Sequence, residues 1–175
     1  AAGILGAVFI PIDPRTKGEK LAYMLRDAGC CGVICGNYAL DNLADCLADT
    51  PAVTWVYVLG DHDCVIPSNV NVTSLAQIYR LPVIDIPIVA KGVHDLMQIM
   101  YTSGTTGDPK GVLIRHGRFV NVAKAGELLF GYRPDDRPYT GLSLTHANAQ
   151  FITLAPSLKM GLQAVFSRKF TKSRL

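Results

Sequence analysis

Ten consecutive residues, from Thr102 to Gly111, hold most of the chemistry this sequence offers. They read Thr-Ser-Gly-Thr-Thr-Gly-Asp-Pro-Lys-Gly. The hydroxyls of Thr102, Ser103, Thr105 and Thr106 are suited to donate to phosphoryl oxygens. Gly104, Gly107 and Gly111 let the chain turn tightly and bring backbone amides close to a ligand. Successive amides in such a turn make a nest for an anion. Lys110 adds a movable positive charge, and Pro109 restrains the backbone just before it. Together these groups suit a polyphosphate whose charge must be held while bonds rearrange. The run is not a Walker A loop, which needs Lys followed by Ser or Thr; here Gly111 follows Lys110. A hydroxyl- and glycine-rich stretch is more often only a turn. Its place directly after an apolar strand, with a lysine at its far end, favours an anion site.

The elements that must position this loop alternate along the chain. A strand is expected over 6–12, closed by Pro11 and the Asp13-Pro14 turn. The spacing of Leu21, Met24, Leu25 and Ala28 predicts a helix over 17–28, stopped by Gly29. An apolar run over 31–35 reads as a buried strand. Asn37 is placed to cap a helix over 37–48, with Leu40, Leu43, Ala44 and Leu47 on one face. Residues 53–59 are β-branched and aromatic, which reads as a further strand. Residues 60–87, rich in Asp, Asn and Pro, read as a surface excursion with a short helix over 75–79. A strand over 96–101 delivers the loop, and 112–114 extend a strand beyond it. A helix over 117–130, a turn over 134–138, a strand over 139–144, a helix through 158 and a strand over 164–167 complete the chain. This alternation predicts an α/β fold, a mostly parallel sheet with helices on both faces. Such sheets place ligands at the carboxyl ends of their strands, where the loop should emerge.

The twelve residues Tyr101–Val112 resemble the signature of the adenylate-forming (AMP-binding) superfamily. Its members are the AMP-forming acyl-CoA synthetases, the adenylation domains of peptide synthetases and the luciferases. Two weaker resemblances flank the signature. Residues 6–15 with 21–25 are similar to the family's early strand and helix, and Leu142-Ser143-Leu144-Thr145-His146 to a downstream strand ending in histidine. The resemblance implies that a carboxylate attacks the α-phosphate of ATP, giving an acyl-adenylate and pyrophosphate, and that a thiol then takes the acyl group. It implies ATP, Mg2+ and coenzyme A as cofactors and a small-molecule carboxylate as substrate. Thr102, Ser103, Gly104, Thr105, Thr106, Gly107 and Lys110 would bind the β- and γ-phosphates, with Lys110 also catalytic. His146 would bind substrate near the acyl site, whereas a lone histidine is ordinarily structural, as His116 is read to be. Many relatives carry a proline and an aromatic residue where this chain has Ser143 and Thr145, a departure that bears on the expected shape of the acyl pocket and not on the adenylate chemistry. Residues 1–175 are expected to be part of the family's large N-terminal domain, partnered by the remainder of the same polypeptide and inactive alone. The reading that leads is an acyl-CoA synthetase. A carrier-protein-dependent adenylation domain and a non-catalytic polyphosphate-binding module are the alternatives.

Composition agrees. The chain has 175 residues, 49% apolar and 18% charged, which excludes a disordered chain. The low charge points to surface that something else covers. The net charge of +3 is uneven: residues 110–124 hold four basic residues and no acid, and 159–175 hold five and none. This is too weak for a nucleic-acid binder without a motif. Cys30, Cys31, Cys35, Cys46 and Cys64 form no Cys-x-x-Cys pair. They read as buried free thiols of a reducing compartment, with no metal site. No run is long enough for a membrane span and no signal peptide is visible, so a cytoplasmic protein is expected.

Overall fold

The computed structural model describes residues 1–89, 92–102 and 107–167, the side chain of Glu127 apart. The chain divides into two compact units: one gathers residues 12–86 and 101–111, the other residues 1–11, 87–100 and 112 onward. The architecture is α/β, with helices and parallel strands.

The first unit begins with α1, Gly18–Asp27, whose buried face is Leu21, Ala22, Met24 and Leu25. Gly29, at φ +60°, stops it. The Gly29 amide donates to Arg26 O and the Cys30 amide to Leu25 O, at 3.0 and 2.9 Å. This pair of reversed bonds satisfies carbonyls the helix leaves open. β1, Gly32–Gly36, follows, then a 3-10 turn over Asn37–Ala39 and α2 over Leu40–Leu47. Asn37 does not cap α2 as expected. Its side-chain amide donates to Asp61 O instead, at 2.9 Å, and the 3-10 turn starts the helix three residues later. α2 buries Leu40, Leu43, Cys46 and Leu47. The Cys46 thiol donates to Gly18 O at 3.4 Å, tying α2 to the start of α1.

β2, Trp55–Leu59, runs parallel to β1. Val56 and Val58 are fully buried, and the rings of Trp55 and Tyr57 lie 4.8 Å apart. Gly32 stands opposite Trp55 in register. A Cβ there would lie 1.8 Å from the Trp55 ring, so only glycine fits beneath the indole. Part of the expected excursion is a strand: β3, Asn71–Ser74, adds to β2 in parallel and leads into α3, Leu75–Ile78, capped by Ser74. Its Asn and Ser hide it from an apolar-run criterion, because an edge strand of four residues needs little burial. β1 is the other edge. Cys31, at its start, is accordingly exposed, and only Cys30 and Cys46 are buried.

The second unit opens with turns rather than the strand expected over 6–12. Gly6 is left-handed at φ +69°, and Pro11 has no amide to give a ladder. One parallel bridge remains, Phe9 to Gln98. It lies on β4, Leu96–Thr102, which pairs with β5, Lys110–Arg115. α4, His116–Phe130, starts with its first amides donated to Asp95 O and Val93 O, at 3.0 and 2.7 Å.

β6 is only Tyr139–Thr140, shorter than the strand expected over 139–144. The Thr140 and Ser143 hydroxyls accept from the Leu142 and Thr145 amides, local bonds that replace a ladder. A π-helical segment, Ala149–Leu154, then leads into α5, Ala155–Met160. Pro156 has no amide for Ile152 O, which accepts from the Tyr132 hydroxyl at 3.5 Å. Gly126 brings α4 close to α5: a Cβ there would meet Pro156 at 2.4 Å. β7, Val165–Phe166, pairs in parallel with β6.

Candidate active site

β4 carries Met100 into the interior on the same side as Gln98, and its next two residues root the hydroxyl loop. As expected, the loop leaves the carboxyl end of a strand, with Thr102 ending β4 and Lys110 beginning β5. Ser103, Gly104, Thr105 and Thr106 lie outside the described residues. Thr102 and Lys110 are brought together: the Thr102 hydroxyl donates to Lys110 O at 3.4 Å, closing the base of the loop. Gly107 has φ +140°, which side chains rarely adopt, and nothing stands where its Cβ would be. Glycine is needed there for its backbone angle, not for space. Pro109 is buried, while Gly107, Asp108 and the Lys110 side chain face solvent. A rigid proline therefore seats the chain and leaves the ammonium free to meet an anion.

Sequence reasoning missed the support beneath this loop. Tyr101, one residue before Thr102, donates its hydroxyl to Asp27 Oδ2 at 2.5 Å and lies 3.4 Å from Met24 O. The partner is the last residue of α1. Burial, then the hydrogen bond and charge of Asp27, push the Tyr101 phenol well above its ordinary range. Burial, then Asp27 and Asp108, act the same way on Tyr23. A signal existed in the sequence: a carboxylate at a helix C-terminus opposes the helix dipole, so Asp27 needs another reason to be there.

His146 belongs to the other unit. It is exposed. Its amide donates to Ser143 O at 2.9 Å, and its own carbonyl accepts from the Gln150 amide at 3.3 Å. It thus stands at the turn that opens the π-helical segment. His116 begins α4, with its ring against Gly3.

The loop's unit also holds an open cleft of about 520 Å3 beyond the ends of β1 and β2, lined by Asn37, Tyr38, Asp41, Asp61, His62, Asp63 and neighbours. Its carboxylates make it unsuited to a phosphate. Among the described residues, no group of three or more His, Cys, Asp or Glu side chains is arranged to hold a metal ion. No helix among them is long and apolar enough to cross a membrane.

The family model described as "AMP-binding enzyme" matches residues 1–175, the whole chain. The chain belongs to the AMP-binding enzyme family. Its relatives are acyl-CoA ligases and adenylation domains. It is 29% identical over 174 residues to the long-chain-fatty-acid–CoA ligase FadD13 of Mycobacterium tuberculosis, covering 99% of this chain and 32% of that protein. It is 29% identical over 137 residues to tyrocidine synthase 3 of Brevibacillus parabrevis, covering 77% of this chain and 2% of that protein. The chain therefore spans about a third of the ligase's length. Among solved structures, the N-terminal domain of FACL13 from Mycobacterium tuberculosis matches with a TM-score of 0.78 at 28% identity, over 99% of this chain and 41% of that one. The anthranilate CoA ligase AuaEII, solved with anthranoyl-AMP, shares the fold at a TM-score of 0.84 and 23% identity, over 95% of this chain and 32% of its own.

Proposed function

We propose that residues 1–175 form part of the large N-terminal domain of an ATP-dependent, AMP-forming acyl-CoA synthetase. The observation that carries the reading is the end-to-end family match of a chain whose signature run is closed at its base by Thr102 and Lys110. In this reading a carboxylate oxygen attacks the α-phosphorus of ATP and the bond to pyrophosphate breaks. The sulfur of coenzyme A then attacks the acyl carbon and AMP leaves. Thr102, Ser103, Gly104, Thr105, Thr106 and Gly107 cradle the β- and γ-phosphates. Lys110 offsets charge gathering on the departing pyrophosphate, a stabilisation that grows toward the transition state. Mg2+ would enter with the nucleotide's phosphates. His146 borders the acyl site. The remainder of the polypeptide supplies the rest of the nucleotide site, so this part alone makes no thioester. The cytoplasm, where ATP and coenzyme A are plentiful, is its proposed location.

The likeness to a tyrocidine synthase favours a second reading, in which the thiol belongs to a carrier protein. Mass spectrometry of products formed with ATP, a carboxylate panel and either thiol decides between them. ATP–pyrophosphate exchange tests the loop. Lys110→Ala in the full-length enzyme should lower exchange about 100-fold or more. Its melting temperature should barely move, because an exposed lysine contributes little to stability. Equal exchange rates would remove Lys110 from the mechanism.

A further inference from the structure

We infer that Tyr101 and Asp27 are positioning residues for ATP, fixing the root of the hydroxyl loop to the end of α1. The inference rests on the proposed role of that loop as the phosphate cradle. Three observations support it. The Tyr101 hydroxyl donates to the Asp27 carboxylate at 2.5 Å, the range of a charge-assisted O–H···O⁻ bond. The same hydroxyl reaches Met24 O, so the phenol is held at two points of the last turns of α1. Tyr101, Thr102 and residues 107–111 belong to α1's unit, although the strand residues on either side, 96–100 and 112–115, belong to the other. Tyr101 is thus the first residue of the loop's segment and bonds the helix of the unit to which that segment belongs.

Chain connectivity gives this bond its consequence. Thr102 is one peptide bond beyond Tyr101, and the hydroxyls and amides after it must meet phosphoryl oxygens within tenths of an ångström. A root free to shift by about 1 Å loses alignment, and such misplacement costs up to about 100-fold in rate. Asp27 itself touches no substrate. It acts through Tyr101, and both act on ATP through the backbone. Tyr101→Phe removes one oxygen and leaves the half-buried ring, so it is the variant that keeps the fold.

The experiment is steady-state kinetics of the full-length enzyme with Tyr101→Phe, Asp27→Ala, Asp27→Asn and the double variant Tyr101→Phe/Asp27→Ala. The expected result is about a tenfold fall in kcat/KM for ATP in Tyr101→Phe and in Asp27→Ala. The double variant should be no worse than either single one, because both remove the same bond. Asp27→Asn, which keeps an oxygen acceptor, should recover most of the loss, and the KM for the carboxylate should stay unchanged. A bond that serves only folding would lower the melting temperature and leave ATP kinetics unmoved; that result, or additive losses in the double variant, overturns the proposal. Lys110→Ala is measured alongside. If it abolishes exchange while Tyr101→Phe does not impair it, the anchor fails and the loop reading stands. If Lys110→Ala is itself unimpaired, the loop reading fails and the anchor with it.

Discussion

β4 and β6 each lead to a residue that the sequence marks for function, and they deliver it in different ways. β4 runs seven residues, buries Gln98 and Met100, and brings a tyrosine bonded to a helix to the start of the loop. β6 runs two residues, and the chain from Thr140 to Thr145 folds back on its own hydroxyls before His146. Leu142 and Leu144, which an alternating strand would bury, are both 44% exposed. A strand that buries one face and carries a long-range hydrogen bond fixes the residues just beyond it. Thr102 thus follows a strand residue tied to a helix 74 residues away, whereas His146 follows a turn held by bonds to its near neighbours.

The largest effect that would break this comparison is on stability. Met100→Ala, at a buried β4 position, should cost about 2–4 kcal/mol. Leu142→Ala, beyond β6, should cost less than about 1 kcal/mol. Denaturant unfolding of both variants checks this, and equal losses would mean that β6 is as tightly built as β4. A smaller effect is expected in the loop. Gly107→Ala places a side chain at φ +140° and should cost about 1–2 kcal/mol. Because the Cβ meets nothing, the strain is in the backbone alone. The KM for ATP should therefore rise while the melting temperature falls only slightly.

A pH-dependent effect sharpens the buried character of the anchored end. Cys30, just beyond α1, is buried, and burial pushes its thiol up from 9.0 to about 11. The folded chain then keeps a proton that the unfolded chain releases above about pH 9. Stability is full below about pH 9 and is lost as pH rises from there toward about 11. The Tyr101 phenol, held protonated by burial and Asp27, pulls the same way at still higher pH. Melting curves from about pH 8 to 11 should show the decline, and Cys30→Ala should flatten its lower part. An unchanged slope would place that sensitivity elsewhere.

The sequence by itself determined the α/β alternation, the strand that delivers the loop, and the loop's chemistry. These depend on local pattern. Leu21, Met24 and Leu25 repeat at helical spacing, Gly29 can take a left-handed angle, and hydroxyls, glycines and a lysine in one run suit an anion without any distant partner. The family signature was legible for the same reason, being contiguous. Only the tertiary structure decided what distant residues do to one another. Asn37 looked like a cap until Asp61, 24 residues away, took its amide. β3 was hidden because a polar edge strand is defined by the neighbour it pairs with, here β2, rather than by its own composition. The expected strand at 6–12 shrank to one bridge because Gly6 and Pro11 cannot sustain a ladder beside β4. Tyr101 and Asp27 are 74 residues apart. No local pattern joins them, since a hydrogen bond between two side chains exists only once the backbone between them has folded.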